Sequence, residues 1–100
     1  MCVCTSIQMK NLVIFFKAMS CETRINILQY LLEKDKASIS ELAFEINKDQ
    51  STVFRHVKKL ERAGIIKSTK QNKFLLCCIS KKKKFKRMFK MLRECIEECE

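Results

Sequence analysis

One hundred residues, 47% of them hydrophobic, suffice for one domain with a modest core and are too few for two. The net charge of +10 is unevenly spread: residues 1–47 carry five basic against five acidic side chains, residues 48–73 eight against two, and residues 74–100 eight against four. That asymmetry favours a polyanionic partner; no run approaches the roughly 18 uninterrupted apolar residues of a membrane span, so no membrane partner is expected and the location expected is the cytoplasm, or a host's cytoplasm for a viral chain.

The first predicted helix covers residues 7–19, where Met9, Leu12, Val13, Phe16 and Met19 recur at helical spacing while Ile14 and Phe15 add apolar surface on other sides. A helix apolar on more than one face is either central or shared with a partner. Ser20 is placed to cap a second helix from Glu22 to Glu33, with Ile25, Leu28, Leu31 and Leu32 facing inward. Lys34-Asp35-Lys36 breaks it. Ser38 and Glu41 have the capping-box spacing and open a third helix with Leu42, Ala43 and Ile46 inward.

Asn47-Lys48-Asp49 is a short polar turn, and Asp49 can cap a fourth helix striped by Val53, Val57 and Leu60. Gly64, the single glycine, falls where a helix C-terminus needs a left-handed residue. Residues 38–64 therefore read as a helix-turn-helix. Ile65 to Thr69 and Phe74 to Ser80 are β-prone runs around Lys70-Gln71-Asn72-Lys73, so residues 65–80 form a hairpin with a basic tip. The last helix, residues 81–99, repeats Phe85, Met88, Phe89, Leu92, Cys95, Ile96 and Cys99 at steps of three and four. That stripe is too long for so small a domain to cover alone. The expected fold is mainly α with a small β-hairpin, in the order α-α-α-α-β-β-α, as a single domain over residues 1–100.

On the fourth helix the apolar stripe fixes the inner side and leaves Gln50, Ser51, Thr52, Arg55, His56 and Lys59 largely on the outer side. Arg can read guanine and Gln adenine in a major groove, while short hydroxyls and backbone amides bind phosphate. A solvated polar face is the plain alternative for any one such helix. The preceding helix-turn-helix, the basic hairpin after it, the segregated charge and the lack of competing chemistry together favour double-stranded DNA. Lys67, Lys70 and Lys73 of the hairpin would then grip phosphate.

The stretches FKAMSCETRINILQYLL, SISELAFEINKDQSTVFRHVKKLERAGII and KSTKQNKFLLCCI resemble the winged helix-turn-helix of the arsenic-repressor (ArsR) family of bacterial and archaeal transcription regulators, continuously from about Phe15 to Ile79. Ser20, Thr23 and Arg24 match the opening of that family's second helix, and Ser40 to Ala43 its positioning helix. Gln50 to Val53, Arg55 and His56 match the start of the recognition helix, and Leu60, Ala63 and Gly64 lead into the wing. The resemblance implies a homodimer built from the first and last helices, with Val13, Phe16, Phe85, Phe89, Leu92 and Ile96 at the interface, acting as a repressor on an imperfect palindrome. The apolar surplus of the two terminal helices independently asks for such a two-fold axis. The chain departs from the family pattern at Cys21-Glu22, where Asp-Pro is common, and at Phe54, commonly Ser or Tyr, which we read as packing on the sugar-phosphate backbone or the preceding helix.

The metal-sensing ligand sets of the family are missing: the third helix has no Cys or His and the last helix no Asp or His, so no metal and no cofactor are expected. Cys2 and Cys4 precede the first helix, and Cys95 and Cys99 lie one turn apart on the last. These four could form disulfides or hold a soft metal, or serve simply as small hydrophobes. Cys77 and Cys78, adjacent in a strand, point to opposite faces. Cys21, at a helix start near Arg24, is the best single candidate for a reactive thiol. An enzyme is not expected, since no paired carboxylates, nucleophile with a base, or glycine-rich phosphate loop is found. The alternative function is a winged-helix protein-interaction module without sequence-specific DNA reading.

Overall fold

The computed structural model of the protein describes the backbone of residues 2–99 and the side-chain surroundings of residues 11–97. The elements run α1 (Cys2–Met19), α2 (Glu22–Lys34), β1 (Ala37–Ser38), α3 (Ile39–Ile46), α4 (Gln50–Arg62), β2 (Ile66–Gln71), β3 (Phe74–Ile79) and α5 (Lys82–Cys99). The architecture is a winged helix-turn-helix, as expected. It differs by one short strand: β1 pairs antiparallel with β3 through Ala37↔Cys77 and Ser38↔Leu76, giving a three-stranded sheet in the order β1-β3-β2. Two residues carry no period that a sequence reading could detect, and only the pairing to β3 makes them a strand.

Local chemistry sets the helix boundaries. Ser20 does not cap α2; its hydroxyl donates to Lys17 O at 2.8 Å and closes the end of α1. Cys21 takes the N-cap position in extended conformation, without a side-chain capping bond. The capping box of α3 forms as expected, with Glu41 N–H donating to Ser38 Oγ at 3.1 Å. Asn47, left-handed at φ 63°, ends α3, and Lys48 N–H closes onto Ala43 O at 3.0 Å. At the far end of α4, Gly64 adopts φ +77°. Gly64 N–H donates to Glu61 O and Ile65 N–H to Leu60 O, both at 3.0 Å, the paired bonds of a Schellman cap. Its hydrophobic half is present too, since Leu60 and Ile65 are both buried.

The core lies where α2, α3 and α4 converge on one face of the sheet. Ile27, Leu28 and Leu31 of α2 meet Leu42 of α3, Val53, Val57 and Leu60 of α4, and Ile66, Cys77 and Ile79 of the sheet. Each fully buried aliphatic side chain contributes about 1.5–3 kcal/mol. Among the described residues no charged or polar side chain is buried.

The two terminal helices lie along this body, joined by aromatic contact: the Phe15 and Phe85 rings are 6.3 Å apart, and Phe85 stacks on Phe89 at 5.6 Å. Phe85, expected at a dimer interface, is 7% exposed and belongs to the core of its own chain. Phe89 is partly buried against the same core. The sequence stripe could not separate these two from the rest, because only the first part of α5 packs against the protomer core. Outside that packing, Val13 and Phe16 of α1 and Leu92 and Ile96 of α5 remain exposed, as do Leu12, Ile14 and Met91. The radius of gyration, 14.7 Å, exceeds the roughly 13 Å of a compact chain of this length, in keeping with helices that outreach the core.

Candidate nucleic-acid interface

Asp49 starts α4 and organises its first turn. Its carboxylate accepts from Thr52 N–H at 3.3 Å, from Thr52 Oγ1 at 2.6 Å, and from the Ser51 hydroxyl. The Ser51 and Thr52 hydroxyl bonds, largest first, hold its carboxyl down to about 2, so the cap is ionised at neutral pH. The two hydroxyls therefore point their protons back at Asp49. A phosphate approaching them has to compete for those protons.

Past the cap, Val53, Val57 and Leu60 turn into the core, and Gln50, Ser51, Phe54, Arg55 and Lys59 stand exposed on the opposite side. Thr52 and His56 do not join them. Both are half-buried, and His56 Nδ1 accepts from Arg24 Nε of α2 at 3.2 Å. The expectation that His56 lies on the outer side needs that correction: its helical position, three residues beyond Val53, turns it toward α2. Burial first, then the charges of Arg24, Lys59, Arg55 and Lys48, hold its pKa below the ordinary value. A neutral ring that accepts at Nδ1 carries its proton on Nε2. Arg24 also donates to Ala18 O at 2.9 Å and Lys17 O at 3.3 Å, so one guanidinium ties the end of α1 to the middle of α4.

The wing is fixed to α4 at its base. Glu61 accepts from Ser68 Oγ of β2 at 2.7 Å and pairs with Lys58 Nζ at 3.1 Å, and these bonds, Ser68 first, lower its pKa. Lys58 Nζ also sits 5.3 Å from the centre of the Phe54 ring. At the tip a two-residue turn, Asn72-Lys73, joins paired Gln71 and Phe74, with Asn72 at φ 57°. β2 runs two residues further toward the tip than the sequence reading placed it, while β3 begins at Phe74 as expected, because Asn72 alone supplies the positive φ that a tight hairpin needs.

The register separates the three wing lysines. Lys70 shares a sheet face with Ile66 and Ser68, on the α4 side; Lys67, opposite Cys78, lies on the other face; Lys73 is at the tip. Among the three, only Lys73 meets the exposed face of α4. It lines a cleft of about 550 Å³ with Gln50, Ser51, Phe54 and Arg55 of α4. Ser38, Ile39 and Ser40 close the cleft from the start of α3, and Phe74 and Leu75 from the wing. Among these lining residues Arg55 and Lys73 are the only charged ones. Phe74, Ser40 and Ile39 were not read from the sequence as site residues, since they become neighbours of α4 only through the turn and the sheet. Phe44, 83% exposed on α3 one turn beyond Ser40, extends the same surface.

Of the cysteines, Cys21 has a thiol pKa below the usual value, chiefly because its sulfur faces the Arg24 backbone amide at the start of α2. Cys77 is buried and pushed up to about 11 by that burial, and its neighbour Cys78 is half-exposed on the opposite face. Cys95 is exposed. The side chains of Cys2, Cys4 and Cys99 lie outside the described residues.

The sequence model described as "Bacterial regulatory protein, arsR family" matches residues 21–68, which span α2, α3, α4 and the start of the wing. The crystal structure of an ArsR family transcriptional regulator, RHA00566, is 30% identical, with 88% of this chain and 89% of that one covered at a TM-score of 0.66. This chain belongs to the ArsR family. Reduced HlyU from Vibrio cholerae, 26% identical, superposes with a TM-score of 0.76 over 91% of this chain and 94% of its own. The HTH-type transcriptional regulator MJ1325 of Methanocaldococcus jannaschii is 36% identical over 56 residues, 56% of this chain and 63% of that protein. The chain thus spans less than two thirds of the curated relatives it matches, 63% and 51% of their lengths. Its family is one of transcriptional regulators, not of enzymes. Among the described residues no helix is long and apolar enough to cross a membrane.

Proposed function

We propose that this ArsR-family chain is a sequence-specific double-stranded DNA-binding transcription regulator, a homodimeric repressor of a palindromic operator. The observation that carries the reading is the cleft at the amino end of α4, where Gln50 and Arg55 stand exposed beside Lys73 and no acidic side chain lines the wall. In this reading Gln50 and Arg55 read base edges in the major groove, Lys59 and Lys73 contact phosphate, and Lys67 and Lys70 add longer-range attraction. Ser51 and Thr52 act through lone pairs or through a rearranged cap. His56 offers only Nε2–H. The exposed apolar residues Val13, Phe16, Leu92 and Ile96 support pairing of α1 and α5 with a second copy, which would set two recognition helices about 34 Å apart. Thiol control through Cys21 or the terminal cysteines Cys2, Cys4, Cys95 and Cys99 is compatible with this arrangement.

Selection of bound duplexes from a random pool tests it, followed by titration of the selected sequence with wild type and Arg55→Ala. An imperfect palindrome is expected, with discrimination lowered by about 1–3 kcal/mol at one position per half-site in the variant. Discrimination unchanged by Arg55→Ala removes Arg55 from the reading, and binding indifferent to salt and sequence removes the reading itself.

A further inference from the structure

Two aromatic rings in the cleft are used neither by base reading nor by phosphate contact, although Lys58 Nζ lies 5.3 Å from the centre of one of them, Phe54. Phe54, 41% exposed, and Phe74, 57% exposed, both line it, one from α4 and one from the wing. Ile39 and Leu75 add apolar wall, and Arg55 and Lys73 are the charged lining residues. Exposed phenyl groups gathered beside cations mark a contact that will bury them. With α4 in a major groove, as the proposed function has it, the strand bordering that groove passes beside α4, over the cleft between α4 and the wing. That strand is amphipathic, with anionic phosphate oxygens beside the apolar C–H faces of deoxyribose. The cleft has the complementary split, two cations and two rings.

We infer that the cleft seats the deoxyribose-phosphate strand bordering that groove, with Phe54 and Phe74 as apolar walls against its sugars. The inference rests on the DNA-binding reading above. Contact with sugar carries no base information and releases no counterions, so it supplies affinity without sequence preference and without salt dependence. This separates the rings from every lysine and arginine in the interface.

The test titrates a selected operator and a scrambled duplex with wild type, Phe54→Ser, Phe74→Ser and Lys73→Gln across a range of salt, after matched circular-dichroism melts. Both phenylalanine variants should weaken both duplexes by one common factor, about tenfold for each ring, at unchanged salt slope. Lys73→Gln should instead reduce the slope by about one. Phe54→Leu and Phe74→Leu should recover most of the loss. Wild-type affinity in both serine variants overturns the inference while leaving DNA binding intact. So does a Phe54→Ser loss confined to one base pair and reproduced by replacing one thymine with uracil, which makes Phe54 a base reader. Tighter binding to single strands than to duplex also overturns it, the rings then stacking on bases. A wild type that binds no duplex sinks the DNA-binding reading and the inference with it.

Discussion

Replacing Arg24 by methionine keeps a stem of similar length and deletes three donated hydrogen bonds, to Ala18 O, Lys17 O and His56 Nδ1. The bond to Lys17 is exposed and contributes little. The bonds to Ala18 and His56 are part-buried and come from a charged donor, so about 1–1.5 kcal/mol each, or about 2–3 kcal/mol in all, is the expected loss. For a domain of this size that lowers the melting midpoint by roughly 10–20 °C, measured at fixed protomer concentration because the proposed dimerisation would also shift it. A second readout isolates the His56 contact. The chain has a single histidine, so one imidazole proton resonance reports it. Burial is the larger cause of its lowered pKa and the Arg24 charge the next, so the variant's midpoint should rise toward 6.5 without reaching it. A depressed histidine pKa means that the unfolded chain binds the proton first. The contribution is therefore complete above about 6.5 and lost as pH falls through the folded midpoint. Melts between pH 5 and 8 should be steeper in pH for wild type than for Arg24→Met. A variant with the wild-type histidine midpoint and a stability loss under about 0.5 kcal/mol would refute the coupling of α1 to α4 through this side chain.

Phe85→Ala should cost about 3–5 kcal/mol in urea melts at every protein concentration, because its ring is in the protomer core. Ile96→Ala, at a position 63% exposed, should leave the protomer's secondary structure unchanged and raise the dimer dissociation constant in sedimentation; an Ile96→Ala protein as dimeric as wild type removes α5 from the interface. Gly64→Ala should destabilise by about 1 kcal/mol through φ +77° alone, since an added Cβ meets nothing within 4 Å, and Gly64→Asn should lose less. Mass spectrometry of brief iodoacetamide labelling at pH 7 should find Cys21 modified well before Cys77, whose thiol is buried and raised to about 11; the reverse order contradicts both environments.

Sequence reading worked best where one residue type does one local job. Ser38 with Glu41, Asp49 with Thr52, and Gly64 each mark a helix end through backbone chemistry that no distant contact alters. It failed where the outcome depends on which element arrives from elsewhere. The sequence reading assigns the cap of α2 to Ser20, and the bond of Ser20 to the end of α1 leaves that position to Cys21. Ala37-Ser38 becomes a strand only because β3 passes alongside. Phe85 and Ile96 belong to one stripe of equal spacing, yet the protomer core takes in the first and not the second. The cleft shows the same limit: Gln50, Ser51 and Arg55 were legible as a polar helix face, whereas Phe74 and Ser40 join them only through a turn and a sheet register.

The recognition helix is held at more points than its own length would require. Asp49 fixes its amino end, the Leu60 and Ile65 cap its carboxyl end, and Arg24 fixes its rotation through His56. Glu61 sets the wing beside it through Ser68. None of these groups lies among the cleft-lining residues, and each restrains a different degree of freedom of α4. The exposed face is therefore organised before any partner arrives, which lowers the ordering cost of binding. It also follows that a change at Arg24 or Glu61 can weaken DNA binding without touching DNA. Such losses should scale with the disorder of α4 rather than with the number of phosphates contacted, and so leave the salt slope where Lys73→Gln does not.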